Sequence, residues 1–363
     1  MTLHVSKVVE RLLNHHLQPF FESTNAFGES QFAYTKGRGA NDALCLLMLN
    51  ILTSFEAGCR VGFYCSDVSG AFDRVNPERL CSKLDRQGTH PNMVAVLRSW
   101  LGARVAQVVV DGFRSECYNL QNSVYQGTVL GPPLWNCYYA DARLATQAQG
   151  FNEIVFADDL NCFKAFDSLF SDEAILQNLT QCQTSLHRWG CANQVLFDRS
   201  KESFHILHPR CPLGSNFKLL GVTIDTRLVM DKACFEIASR AAVMVRRILR
   251  CRRFFTVSSL IGLYKAHVLS FVEYYTAAIY HAPTYFLSAV DSVQDLFLSE
   301  LDLTAESALL DYNLAPLNAR RDMAMLGLLH KVVLKKALDF FATKSKQSTW
   351  LEELPAAPHQ AVT

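Results

Sequence analysis

Ile154-Val155-Phe156-Ala157-Asp158-Asp159-Leu160-Asn161-Cys162-Phe163 is the stretch on which the reading of this chain turns. Two short apolar runs flank Ala157-Asp158-Asp159, so they read as paired strands with two carboxylates at the hairpin tip. Adjacent aspartates repel each other, and burying them without compensation raises at least one pKa. A divalent cation removes that penalty. Mg²⁺ suits the task because it takes hard oxygen ligands, keeps several waters, and needs only one or two carboxylates plus substrate phosphates. An aromatic-x-Asp-Asp string also arises by chance, and most Asp-Asp turns are solvated loops. The string therefore has to be read with its neighbours.

Upstream, Val61, Phe63, Cys65 and Asp67 share one face of a strand that ends in a turn at Ser69-Gly70. Alone, Asp67 would be a turn or capping residue. If its strand lies beside the hairpin, Asp67 and Asp158 can bridge two ions about 3.5–4 Å apart, one activating an attacking hydroxyl and the other stabilising a leaving pyrophosphate. Around these segments the pattern mixes periods. A helix is expected after Asn76 as N-cap, with Pro77 at its first position and Gly88 beyond its end, and another over Pro91–Leu101. Val105–Val110 reads as a strand, Asp111-Gly112 as a tight turn, and Cys117–Leu120 as the return. Gly131-Pro132-Pro133 opens a helix, and Ser171 caps one whose stripe of Ile175, Leu179, Cys182 and Leu186 ends before Gly190. Phe204–Leu207 and Leu219–Ile224 read as the last strands, and from about Asp231 to Phe341 the pattern is helical, with Thr256 as a cap.

Composition bounds the rest. The chain has 363 residues, half of them hydrophobic, enough for two or three domains with sizeable cores. Its 35 basic and 34 acidic residues leave a net charge of +1, so any nucleic-acid surface must be local. One region qualifies: nine basic residues (Arg227, Lys232, Arg240, Arg246, Arg247, Arg250, Arg252, Arg253, Lys265) face only Asp231 and Glu236, a local excess of +7. Twelve cysteines without a C-x-x-C pair favour reduced thiols, and His205, His208 and Cys211 lack the fourth ligand a zinc site needs. No stretch reaches the roughly 18 uninterrupted apolar residues of a membrane span, and no secretory signal is seen, so the chain reads as soluble and intracellular.

Taken in order, Asp67-Val68-Ser69-Gly70-Ala71-Phe72-Asp73, Gln126-Gly127-Thr128-Val129-Leu130-Gly131-Pro132 and Phe156-Ala157-Asp158-Asp159 resemble the palm motifs of reverse transcriptases, above all those of non-LTR (LINE-type, jockey-like) retrotransposons. Val5–Leu12 and Gln31–Leu44 resemble that family's fingers segments, Trp189–Lys201 and Lys218–Ile224 its later palm segments. The resemblance implies an α+β right-hand polymerase fold with an antiparallel palm sheet: partial fingers over 1–60, palm over 61–225, a helical thumb and post-thumb region over 226–341, and a flexible tail over 342–363. It implies RNA-directed DNA synthesis with two Mg²⁺ ions, Mn²⁺ being able to substitute, acting on an RNA template, a DNA primer and deoxynucleoside triphosphates, with the nucleus as the place of work. Asp67, Asp158, Asp159 and the Val68 carbonyl would hold metal. Phe72 would be a steric gate against the 2′ hydroxyl, Gln126-Gly127 would pack on the incoming nucleotide and template, and Lys201 would serve the pyrophosphate. Arg38 or Lys36 would contact template or triphosphate, Leu220-Gly221 would form the primer grip, and Arg240, Arg246, Arg247 and Arg250 would hold the nucleic-acid backbone. Asp73 is assigned to structure.

Three departures from the family pattern are visible. Tyr125 stands where a proline usually precedes Gln-Gly; Met1 begins after the point where relatives carry basic fingers residues; and no endonuclease segment precedes the polymerase. A truncated chain is expected, and a silent remnant that binds RNA without making DNA is the rival. An RNA-dependent RNA polymerase is disfavoured, because Phe72 stands where such enzymes need a polar residue.

Overall fold

The computed structural model describes residues 4–102, 104–120 and 122–333; the end of the expected helical region and the expected tail lie outside them. Helices α1 (His4–Ser23) and α2 (Ala40–Glu56) lead into strand β1 (Arg60–Cys65). Helices α3 (Pro77–Arg86) and α4 (Pro91–Leu101) follow as the sequence predicts, with the Asn76 side chain accepting from the Arg79 amide and Gly88 in the left-handed region at φ +82°.

The strand expected over Val105–Val110 is in fact two, β2 (Arg104–Ala106) and β3 (Val109–Val110). The Ser115 hydroxyl accepts from the Val108 amide at 2.9 Å, and the Gln107 amide donates to the Ser115 carbonyl at 3.1 Å, which offsets the ladder between the two pieces. The turn at Asp111-Gly112, with both residues left-handed, returns β3 to β4 (Phe113–Arg114), and β2 pairs with β5 (Tyr118–Leu120).

Helices α5 (Gly131–Tyr139) and α6 (Ala142–Gln147) precede the hairpin of β6 (Asn152–Phe156) and β7 (Asp159–Phe166). Helix α7 (Asp172–Asn193) starts at the Ser171 cap but runs through Gly190 instead of stopping there. Gly190 answers to packing: a Cβ would meet the Val195 carbonyl at 2.7 Å and the Phe197 ring at 2.8 Å. The helix ends at left-handed Gln194, φ +61°. After β8 (Ser203–Leu207), the stretch expected as a single strand is a hairpin, β9 (Phe217–Leu219) and β10 (Val222–Ile224), because Leu220 and Gly221 both take positive φ, 48° and 78°.

The main sheet is wholly antiparallel, in the order β6-β7-β1-β8. Side chains alternate across it, so one face sends Val61, Phe63, Phe163 and Leu207 into a core shared with α2 and the C-terminal helices. The other sends Tyr64, Leu160, Cys162 and Ile206 into a core with α3, α4, α5 and α7. Both faces of β1 are buried, and a fully buried Val61 or Phe63 there contributes about 1.5–3 kcal/mol. Helices α8 (Asp231–Arg250), α9 (Val257–Tyr264), α10 (Ser270–Tyr274), α11 (Thr276–Ile279), α12 (Thr284–Ser299), α13 (Ala305–Tyr312) and α14 (Leu317–Val333) follow. Thr256 caps α9 through the Ser259 amide, and α8 buries Ile237, Ala241 and Val245 in the core that also holds Val290, Val293 and Phe297 of α12. Among the described residues no helix is long and apolar enough to cross a membrane, and all twelve cysteines are free thiols.

Candidate active site

The register of the sheet decides what meets at its end. Cys65 of β1 lies opposite Asn161 of β7, and the Ser66 amide and hydroxyl both donate to the Leu160 carbonyl, at 3.2 and 2.6 Å. One step further along that antiparallel register, Asp67 is level with Asp159. On the other side Val68 bridges Phe197: the Ser69 amide donates to the Leu196 carbonyl and the Asp198 amide to the Asp67 carbonyl, both at 2.9 Å. In such a pair the intervening residue's own amide and carbonyl point away, so the Val68 carbonyl is not used by this pairing.

The hairpin turn is tighter than three residues. Phe156 pairs directly with Asp159, leaving Ala157-Asp158 as the turn, with Ala157 left-handed at φ +60°. A non-glycine residue holds that conformation only when its surroundings enforce it. Gln31 enforces it here. Its side-chain oxygen accepts from the Ala157 amide at 2.9 Å and from the Ala33 amide at 3.0 Å, and its nitrogen donates to the Ala157 carbonyl at 3.2 Å. The Trp135 indole donates to the same carbonyl at 3.1 Å. Residues 30–32 are themselves strapped to β6, through Val155 to Ser30 at 3.0 Å and Phe32 to Val155 at 2.9 Å.

Burial, then the charges of Asp158 and Asp67, push Asp159 up to about 6. Asp158 is also raised, by burial and by Asp67, with Lys201 opposing. The Lys201 ammonium lies 3.1 Å from Asp67 and 3.5 Å from Asp198. Among the described residues no group of three or more His, Cys, Asp or Glu side chains is arranged so that it could hold a metal ion by itself. Asp159 feels the charges of Asp158 and Asp67, Asp158 feels that of Asp67, and Asp67 faces the Lys201 ammonium; the donors gathered here are hard oxygens, the type that a divalent cation such as Mg²⁺ takes and a thiophilic ion does not.

Phe72 belongs to the same place. It sits in a short 3₁₀ turn, Ala71–Arg74, entered through left-handed Gly70, and its half-buried ring lies 6.0 Å from that of Trp135. Trp135 thus touches both the aspartate turn and Phe72. The Phe72 carbonyl accepts from the Val124 amide at 2.9 Å, which ties the Gln126 segment to the same turn. Gln126 and Gly127 are exposed, Gly127 at φ +82°, in a loop closed by the Thr128 hydroxyl donating to the Tyr125 carbonyl at 2.7 Å. From α1, the buried Glu10 carboxylate accepts from the Val129 amide at 2.6 Å and the Leu130 amide at 3.4 Å. Tyr125 bonds the Leu101 carbonyl at 3.2 Å and meets the Trp100 ring edge-on, so the loop is anchored without a proline.

The other expected site residues sit apart. The Arg38 guanidinium donates to the Glu29 and Gln31 carbonyls at 2.6 and 3.1 Å, so it braces the Gln31 segment from within its own loop. Leu220 and Gly221 form the β9–β10 turn, where the Tyr274 hydroxyl donates to the Leu220 carbonyl at 2.8 Å. Arg240, Arg246, Arg247 and Arg250 are exposed on α8 opposite its buried stripe, with the Arg240 guanidinium 4.9 Å over the Phe271 ring. Gln31, Trp135 and Glu10 are contributors that motif reading misses. Gln31 and Glu10 lie in the quoted fingers-like segments and Trp135 follows Gly131-Pro132-Pro133, but only the fold shows what each of them bonds.

Comparison with known proteins matches residues 1–224 to the family described as reverse transcriptase (RNA-dependent DNA polymerase). Among curated relatives, the chain is 25% identical over 286 residues to the RNA-directed DNA polymerase from mobile element jockey of Drosophila melanogaster, covering 72% of this chain and 30% of that protein. It is 27% identical over 286 residues to the probable RNA-directed DNA polymerase from transposon X-element of the same fly, with the same coverage. The chain therefore spans about a third of the length of these relatives. Among solved structures, apo telomerase from Candida tropicalis aligns at 12% identity and a TM-score of 0.47, over 95% of this chain and 60% of that one.

Proposed function

Because the chain belongs to the reverse transcriptase family, matched over residues 1–224, we propose that it is the polymerase part of a non-LTR retrotransposon enzyme, extending a DNA primer on an RNA template with deoxynucleoside triphosphates. The observation that carries this reading is the convergence of Asp67, Asp158 and Asp159, where burial first and then the charges of Asp158 and Asp67 raise Asp159 to about 6. Asp67, Asp158, Asp159 and the Val68 carbonyl would hold two Mg²⁺ ions. When bound, these ions supply charge neutralisation at the attacking hydroxyl and at the leaving pyrophosphate.

The chain's own residues supply orientation. Gln31 and Trp135 hold the Ala157-Asp158 turn in a left-handed bend, so the carboxylates need no reorganisation when substrate arrives. Phe72, braced against Trp135, fills the space beneath the incoming sugar and excludes a 2′ hydroxyl. Gly127, without a side chain, lets the loop backbone approach the base pair. Lys201 stands beside Asp67, where an ammonium neutralises or protonates pyrophosphate. The exposed arginines of α8 bind phosphates irrespective of sequence. In this reading residues 1–60 are fingers, 61–225 palm, and 226–341 thumb and post-thumb region. Primer extension with deoxynucleotides against ribonucleotides tests the substrate: a strong ribonucleotide preference would favour an RNA polymerase instead.

A further inference from the structure

We infer that Glu202, which the reading above leaves without a role, is a positioning residue that holds Lys201 against Asp67; only the kinetic consequence rests on the polymerase reading. The Lys201 side chain is 61% exposed, and an exposed lysine pair gains little and samples many rotamers unless its backbone is fixed. The neighbouring residue fixes it. The Glu202 side chain is 2% exposed, and both of its oxygens are fully engaged. One accepts from the Tyr64 hydroxyl and lies 2.9 Å from His187 Nε2; the other accepts from the Gln183 amide at 2.8 Å and lies 3.0 Å from the same imidazole nitrogen.

Those partners come from two elements, Tyr64 from β1, three residues before Asp67, and Gln183 and His187 from α7. The loop from Asp198 to Glu202 is consequently tied at both ends. At one end the Asp198 amide donates to the Asp67 carbonyl at 2.9 Å, and the Lys201 and Glu202 amides donate back to the Asp198 carbonyl at 2.9 and 3.2 Å. At the other, a single buried carboxylate links the loop to β1 and α7. A network with every member satisfied permits one geometry, and losing a member leaves buried donors without partners. Loss of the carboxylate therefore frees the loop and withdraws the Lys201 ammonium from Asp67.

The test is acylation of lysines in metal-free buffer, resolved by peptide mass spectrometry, on the full chain. An ammonium held in an ion pair is acylated more slowly than a free one. Glu202→Gln, which replaces one acceptor oxygen by a donor facing donors, is expected to speed Lys201 labelling roughly threefold or more, towards the rate in Asp67→Asn. Exposed Lys218 should label equally in all variants. A wild-type labelling rate at Lys201 in a folded Glu202→Gln protein overturns the inference. Should that variant not fold, Gln183→Leu removes one donor to the same carboxylate and is read the same way. In primer extension, Glu202→Gln should lower kcat with KM for the nucleotide unchanged, and should cause no further loss in a Lys201→Ala background; equal losses in both backgrounds contradict it. Absence of extension by the wild type counts against the polymerase reading, while the labelling still decides the positioning of Lys201.

Discussion

The side-chain amide of Gln31 bonds both backbone groups of Ala157, accepting from its N–H at 2.9 Å and donating to its carbonyl at 3.2 Å. The residue after Ala157 is the first aspartate of the turn, so a glutamine more than 120 residues upstream sets where the carboxylates stand. Gln31→Leu keeps the bulk but leaves the Ala157 and Ala33 amides without their acceptor, while the Ala157 carbonyl keeps Trp135, at a cost of about 1–3 kcal/mol. The expected outcome is a Tm lowered by several degrees and a kcat reduced roughly tenfold or more, with primer–template affinity unchanged. An unchanged kcat in the folded variant would show that the turn does not depend on this clamp.

Raised carboxylates give stability a pH dependence of known sign. Asp159 titrates near 6 in the folded chain against an ordinary 3.8. Between those values the folded state keeps a proton that the unfolded state has released, so this group's contribution to stability falls as pH rises from about 4 to 6 and stays low above. His205, held near 4 by burial, acts in the opposite sense over much of the same range. The difference between wild type and Asp159→Asn isolates the carboxylate. Without divalent ions the variant should be more stable by roughly 1 kcal/mol at pH 7, solvent screening reducing the effect of a partly exposed group, and by almost nothing at pH 4. Mg²⁺ should raise the Tm of the wild type at pH 7 more than that of the variant. Parallel Tm curves for the two proteins would refute the electrostatic account.

Phe72 packs against Trp135, and the turn that carries it is bonded through its backbone, so shrinking the side chain should open space without collapsing the turn. Phe72→Val is expected to narrow the preference for deoxynucleotides over ribonucleotides by at least about tenfold in kcat/KM, chiefly through better ribonucleotide use. If the preference is untouched, the gate lies elsewhere.

For the arginines of α8 the expected signature is in salt dependence. Arg246→Ala with Arg250→Ala should weaken binding of an RNA–DNA duplex and lower the slope of log K against log salt by roughly one per side chain, leaving kcat at saturating duplex unchanged. A loss of affinity with an unaltered slope would place these side chains off the phosphates.

Much of this was legible in the chain itself. Asp67, Asp158, Asp159, Phe72 and Gln126-Gly127 lie in short local motifs, and the fold brings them to one end of the sheet. Caps at Asn76, Ser171 and Thr256 were readable for the same reason, since a cap bonds a residue three positions away. What was not legible depends on contacts distant in sequence. The break between β2 and β3 follows from a serine hydroxyl, Gly190 is set by the approach of Val195 and Phe197, and the β9–β10 turn places Leu220 in a conformation its residue type disfavours. Gln31, Trp135, Glu10 and Glu202 shape the site through bonds to residues between 15 and 138 positions away, a separation that no spacing rule covers.

The most direct measurement is Mg²⁺-dependent incorporation of deoxynucleotides into a DNA primer annealed to an RNA template, comparing the wild type with Asp158→Ala. The account predicts extension by the wild type, abolished by chelating the metal and reduced at least about a thousandfold by the substitution. Equal extension by both proteins would contradict it, because synthesis would then come from somewhere other than the turn that Asp158 occupies.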